Sequence, residues 1–403
     1  MRKTAVVIGA GPAGLSAAEC LAQAGVKTHV YERMANPARK FLMAGRGGLN
    51  LTRMEESGRF IERYGEAAQR LAPFLRDFGP ERLRDWCGSL GEETFVGSSG
   101  KVFPKSFKAS PLLRAWLRRL ADLDVEIHLR HRFDRFEGQT VRFETPDGFQ
   151  SVKADVYVLA LGGASWPRLG ADGGWVEPLK SIGLHSTPLR PANCGFVIDW
   201  SAHIADRFQG HPLKNIRLQV DDQSARGECV ITRQGLEGGA VYALSTRVRN
   251  LLCAGEPPDV RMDLRPDLTC EALAAKLARP RGKQSLSNFL RKSANLQSVS
   301  IALIHEFGEL PSDPIQLAMR IKSLPLPVRD VCGLDRAIST AGGIAWDALD
   351  ENLMAKSFPG LFVAGEMIDW EAPTGGYLLT ACFATGRAAG DAAAHWLKNS
   401  ESR

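Results

Sequence analysis

β-branched and apolar residues run without a break from Thr4 to Ile8, which predicts a strand buried in a parallel sheet. Leu15 to Ala24 carries good helix formers and is stopped by Gly25. Lys27 to Tyr31 then reads as a second strand, ending at Glu32. Farther on, Val125 to Gly163 holds several short strand-like segments, with turn signals at Glu137-Gly138 and Pro146-Asp147-Gly148. These predict a β-meander that finishes in a buried strand, Val156 to Leu161, running into Gly162-Gly163. A late strand, Leu361 to Ala364, leads into Gly365-Glu366, and an alanine-rich C-terminal helix follows Gly375-Gly376. The pattern is that of the α/β class, with a Rossmann-type domain built on a parallel sheet.

Residues from Pro191 to Arg336 interrupt it. "CGFVIDW", "IRLQV", "GECVITRQGLEGG" and "DVRMDL" alternate as strands, whereas "CEALAAKLA", "SLSNFLRKSA", "SVSIALIHEFG" and "PIQLAMRIKSL" have helical spacing. The expected organisation is a discontinuous domain of residues 1–190 and 337–403, a β-rich insert of 191–266 and a small helical unit of 267–336. A further stretch, "RKFLMAGRGGLNLT" from Arg39 to Thr52, reads as a cationic loop, too glycine-rich for a helix and too polar for a buried strand.

The chemistry starts where the first strand meets the first helix. Gly9, Ala10, Gly11, Pro12, Ala13 and Gly14 form G-x-G-x-x-G. Gly9 makes the tight turn, Gly11 lets a pyrophosphate approach the backbone, and Gly14 lets helix and strand pack closely. The helix N-terminus turns free N–H groups and a partial positive charge toward the phosphates. Glu32, at the end of the second strand, can accept from a ribose hydroxyl, and its charge opposes a 2′-phosphorylated dinucleotide. This unit alone is compatible with FAD or NAD.

Composition narrows the classes. The 403 residues are 24% charged with a net charge of +6, mild for a nucleic-acid binder. The basic cluster "RAWLRRL" sits at helical spacing beside leucines and reads as a solvated helix face, so no nucleic-acid partner is favoured. Eight cysteines include no C-x-x-C, which argues against thiol redox chemistry and a structural zinc site and suits a reducing, cytoplasmic setting. The histidines supply no H-x-x-x-H or H-E-x-x-H pair, so no metal is expected. The basic, apolar N-terminus superficially suggests a secretory signal, but Gly9, Gly11, Pro12 and Gly14 break it. No apolar run reaches the length of a membrane span.

With Ala160-Leu161-Gly162-Gly163 in the middle and Gly365-Glu366 near the end, the chain resembles the two-dinucleotide-binding flavoproteins. Those proteins pair the N-terminal glycine motif with an A-T-G-G-like strand end and a late G-E or G-D. More closely, it resembles the BaiN/YhiN-type bacterial flavoproteins, the aminoacetone oxidase family, over nearly its whole length. The resemblance rests on "GRGGLNLT", "GKVFPKSFKAS", "LALGGASWPRLGADG", "TAGGI" and "GLFVAGEMIDWEAPTGGYLLTACFATGRAAG". The chain departs from the family pattern at Leu49, Leu161, Leu378 and the segment "LGADG".

The resemblance implies an FAD-dependent oxidoreductase in which the insert, a β-barrel plus a small helical unit, covers the flavin. It also implies a cofactor set. Lys40 or Arg46 would neutralise phosphate, Gly47 and Gly48 would let the backbone run against the cofactor, and Asn50 and Thr52 would offer hydrogen bonds toward the flavin side. Arg33, Phe133, Ala160, Leu161 and Gly162 join them. Gly365, Glu366 and Asp369 would lie by the ribityl chain and pyrophosphate. Gly375, Gly376, Tyr377 and Leu378 would bring the last helix N-terminus to the flavin N1/C2 carbonyl. Lys105 and Ser106 are substrate-side candidates on the resemblance alone, and Trp166 and Trp175 flank a segment that reads as a lid or as core.

The family's best-described chemistry is reduction of a ring C=C bond conjugated to a ketone. No second G-x-G-x-x-G is present, so NADH or NADPH would visit as a transient reductant, or another donor would serve. No catalytic acid or base is identified. An FAD-dependent tRNA-modifying enzyme and a non-catalytic flavin-binding protein are the alternatives. Arg46→Ala is expected to weaken FAD retention more than Arg114→Ala, which alters only a helix-face charge. Flavin remaining after desalting the two variants measures this, and equal retention would remove the loop's phosphate role.

Overall fold

A computed structural model describes residues 2–45 and 47–400, and Arg46 lies outside the described residues. The chain forms two compact units, one of residues 1–190 and 339–403 and one of residues 191–338.

The first unit is built on five parallel strands: β1 (Thr4–Ile8), β2 (Lys27–Glu32), β3 (Glu126–Leu129), β4 (Val156–Leu159) and β5 (Leu361–Val363). Their order in the sheet is β5-β4-β1-β2-β3. Ala5 to Ile8 and Val156 to Leu159 are almost wholly buried, as a central parallel strand requires. Helix α1 (Pro12–Gln23) follows β1, and helix α2 (Arg39–Ala44) follows β2. Helix α3 (Ala109–Asp122) precedes β3, and the chain ends in helix α4 (Tyr377–Ser400). α4 lies close along α1 because its glycines admit backbone. A Cβ at Gly386 would stand 2.3 Å from Ala13 O, and one at Gly390 2.6 Å from Ala17 O.

Two expectations need correction here. Glu126–Leu129 is not the first strand of the meander but the edge of the parallel sheet, because α3 returns the chain across that sheet before β3 begins. The antiparallel meander is Arg132–Glu137, Thr140–Thr145 and Gly148–Lys153, with turns where the glycines predicted them. "RKFLMAGRGGLNLT" is not loop throughout. Its first six residues contain no glycine and form α2, which buries Phe41 in the core, and the loop proper begins at Gly45.

The second unit carries an antiparallel sheet of seven strands. Their order is Leu324–Leu326, Val260–Asp263, Pro212–Val220, Gln223–Thr232, Gly235–Glu237, Phe196–Ile198 and Val328–Val331. The two edge strands are consecutive in the chain and separated by Pro327 alone, so the sheet must curl back toward itself as a partial barrel. The stretch after residue 267 is not wholly helical: it supplies both of those edge strands. Helices Cys270–Leu277, Leu286–Ser293, Ser298–Glu306 and Pro314–Lys322 share one hydrophobic core with the strands, from Phe196 to Val328. No described helix is long and apolar enough to cross a membrane.

Candidate dinucleotide site

The glycine turn after β1 is held from three sides. Gly9 has φ +106°, and a Cβ there would fall 2.3 Å from Ala160 O. A Cβ at Gly14 would fall 1.8 Å from Gly9 O. Gly11 differs, since a Cβ there would meet nothing within 4 Å. Gly11 is also the N-cap of α1, and no side chain caps the helix. Pro12 at the first turn has no N–H to satisfy, which leaves the N–H groups of Ala13 and Gly14 as the helix's unshared donors.

Glu32 closes the turn from the neighbouring strand. Its carboxylate accepts from Ala10 N–H at 2.9 Å and Met34 N–H at 2.8 Å. Burial raises its pKa, and the two N–H bonds oppose that rise. Arg33 beside it pairs with Asp172 at 2.5 Å. Phe133 lies buried in the meander, packed on Phe136.

The ends of β4 and β5 come together over the same edge of the sheet. Ala160 N–H donates to Ile8 O at 2.8 Å, and Leu161 N–H to Met367 Sδ at 3.3 Å. Gly162, at φ +72°, accepts from Trp175 Nε1 at 3.0 Å, which fixes that indole as core rather than lid. Gly365, at φ +80°, donates to Thr385 Oγ1 at 3.0 Å. Asp369 is half-buried, and burial raises its carboxyl pKa.

Glu366 is 6% exposed and accepts from Lys40 Nζ at 2.8 Å and from Thr340 N–H at 3.0 Å. Lys40 also donates to Ser165 Oγ at 2.9 Å, and Thr340 Oγ1 accepts from the N–H groups of Ala164 and Ser165. Lys40 is thus partnered by a carboxylate of the site. Ser165 and Thr340 were not singled out from the sequence. Their only signal is that each lies in or beside a family-like motif, "GGASW" and "TAGGI".

Lys40→Met should cost about 2 kcal/mol, less than the roughly 3–5 kcal/mol for stripping the partner from a fully buried ion pair, because Lys40 is a quarter exposed. Urea unfolding of the variant measures it. An unchanged midpoint would show that the pair contributes nothing net.

The glycine loop and the start of α4 also meet. Leu49 and Leu51, both fully buried, donate backbone N–H groups to Phe107 O and Val102 O. Gly376, at φ +98°, lies against the backbone of Thr52, where a Cβ would stand 2.5 Å from Thr52 Cα. Thr52 Oγ1 and Thr380 Oγ1 share a hydrogen bond of 2.7 Å. Gly375 has φ +127°. Tyr377 donates its hydroxyl to Glu55, and burial together with that carboxylate pushes its pKa up to about 12. Leu378 packs partly buried against the core. Gly47 faces open space, and Gly48 has φ +109°. Asn50 Oδ1 is buried and has no hydrogen-bond partner.

Among the described residues, the open face of Gly11 and the orphaned acceptor of Asn50 are two features of this site that no protein group fills. They fit FAD, whose pyrophosphate needs a side-chain-free approach and whose isoalloxazine and ribityl groups bring N–H and O–H donors.

The HI0933-like protein Rossmann domain family matches residues 3–392. A 3-dehydro-bile acid delta(4,6)-reductase from Clostridium scindens is 26% identical, over 96% of this chain and 98% of that protein. A ribosomal RNA dihydrouridine synthase from Escherichia coli is 24% identical, over 93% of this chain and 94% of that protein. Among solved structures, 3-ketosteroid-delta4-(5alpha)-dehydrogenase from Rhodococcus jostii RHA1 has the same fold at a TM-score of 0.53 and 15% identity, covering 98% of this chain and 97% of that one.

Proposed function

The chain belongs to the HI0933-like Rossmann-domain family, and we propose that it is an FAD-dependent oxidoreductase that reduces a carbon–carbon double bond conjugated with a carbonyl group on a small organic ring. The observation that carries this reading is the pair of near-full-length relatives. One is named for reducing double bonds of a bile acid and the other for making dihydrouridine in RNA. The substrates differ, but both names describe saturation of a ring double bond.

Bound FAD would supply the two-electron chemistry, accepting reducing equivalents from NADH or NADPH and delivering them to the ring. The chain's own residues hold and orient it. Gly9 to Gly14 and the α1 N-terminus take the pyrophosphate, and Glu32 takes the ribose hydroxyls. Asn50 supplies the unpaired acceptor, and Gly365 and Gly375-Gly376 offer backbone without side chains. The Lys40–Glu366 pair ties α2 to the turn after β5, so both walls of the site stay in register.

Anaerobic stopped-flow reduction of the flavin-loaded protein by NADH and by NADPH tests the reading, followed by rapid mixing with conjugated cyclic enones. Reoxidation of the flavin by an enone, with the saturated ketone as product, is the expected result. A flavin that no nicotinamide reduces, or that no enone reoxidises, would count against it.

A second reading, RNA uridine reduction, is favoured by the dihydrouridine synthase relative and by the net charge of +6. It requires salt-sensitive retention of ribosomal RNA. Loss of enone turnover together with dihydrouridine in RNA incubated with the reduced protein would shift the assignment to it.

A further inference from the structure

β2 and the edge strand β3 run side by side, with His29 opposite Glu126 and Tyr31 opposite His128. Strand alternation puts all four side chains on one face of the sheet. Tyr31 is buried between Phe143 and His128, at ring separations of 4.4 Å and 4.5 Å and nearly parallel to both, so the His128 imidazole is held in place. At the open end of this stack three ligand-type atoms converge. His29 Nδ1 lies 3.1 Å from His128 Nε2 and 3.4 Å from Glu126 Oε2, and His128 Nε2 lies 3.8 Å from that same oxygen.

These separations match the edges of a metal coordination shell. Ligands about 2.1 Å from a tetrahedral ion stand roughly 3.4 Å from one another. Two imidazoles and one carboxylate are also a recurrent donor set for zinc-like ions, with the remaining positions taken by water. The histidines are partly buried, and Glu126 is half exposed, so an ion can enter from solvent.

We infer that His29, Glu126 and His128 form a binding site for one divalent transition-metal ion of the zinc class. Without metal, one imidazole N–H donates to the other ring. With metal, both facing nitrogens present lone pairs and the protons stay on the far nitrogens. His131, although its ring stacks edge-on against His128, is not a ligand, since its nitrogens already bond Leu129 O and Gln150. The ion would clamp the edge strand to the strand that ends, three residues beyond His29, at Glu32.

Tag-free, full-length protein carrying its flavin is stripped with EDTA and titrated with ZnCl2 by calorimetry and with CoCl2 by absorbance. One equivalent of Zn2+ is expected, with Co2+ bands of a nitrogen–oxygen shell and no thiolate charge-transfer band. His29→Ala and His128→Ala should each weaken Zn2+ binding by at least about 10-fold. Glu126→Gln should also weaken it and, being an exposed near-isosteric change, leaves the fold intact. Equal Zn2+ affinity in the parent protein and Glu126→Gln would overturn the site. So would a thiolate band, or the absence of any Zn2+ binding at millimolar concentration.

Discussion

Gly11→Val should fold like the parent protein yet bind FAD about 100-fold more weakly, equivalent to ~2.8 kcal/mol. Gly11 has φ −82° and ψ −178°, an extended conformation open to any residue, and a Cβ there touches no protein atom. The new side chain would instead occupy the approach to the uncapped N-terminus of α1. Gly14→Ala is the contrasting variant. Its methyl would fall 1.8 Å from Gly9 O, so helix and strand must separate and the first unit should lose stability before any question of ligand arises. Urea unfolding of the flavin-free proteins and fluorescence titration with FAD separate the two effects. Parent-like FAD affinity in Gly11→Val would mean that the pyrophosphate does not pass this turn.

The same loop shows why part of the site was legible in the sequence. Thr4 to Glu32 is one local unit, and the physical demands on strand, turn, helix and acidic strand end all fall within it. Other features depend on partners far along the chain. The bond from Lys40 to Glu366, 326 positions away, leaves no local signal in the sequence around either residue. Glu126–Leu129 shows the same strand pattern whether it pairs in the meander or in the parallel sheet, and only α3 before it decides. The edge strands at Leu324 and Val328 are three and four residues long, too short to stand out after four helices. His29 and His128 are separated by 99 positions, so no local spacing rule could bring them together. Arg39–Ala44 is masked for the opposite reason: its helical residues run directly into the glycines that follow, and those glycines dominate the local composition.

Glu19→Leu should destabilise the first unit by about 3 kcal/mol although it replaces a carboxylate with an apolar side chain in the core. Glu19 sits on α1, is 1% exposed, and accepts from Trp86 Nε1 at 3.1 Å, Trp116 Nε1 at 2.7 Å and Arg119 Nη1 at 3.2 Å. Leucine leaves two buried indole N–H groups without an acceptor, each costing about 1–3 kcal/mol. Arg119 suffers less, being a quarter exposed and bonded also to Ser89 Oγ at 3.0 Å. Arg119→Met should therefore cost only about 1 kcal/mol, since Glu19 keeps both indole donors. Urea unfolding monitored by tryptophan emission, to which Trp86 and Trp116 contribute, reads both variants. If Arg119→Met proves as costly as Glu19→Leu, the ion pair and not the indole bonds holds α1 in place. The consequence reaches the cofactor, because α1 is the helix whose first turn faces the dinucleotide site. A helix freed from Trp86 and Trp116 no longer holds Gly11 and Ala13 in position, so Glu19→Leu should also release FAD faster than Arg119→Met does.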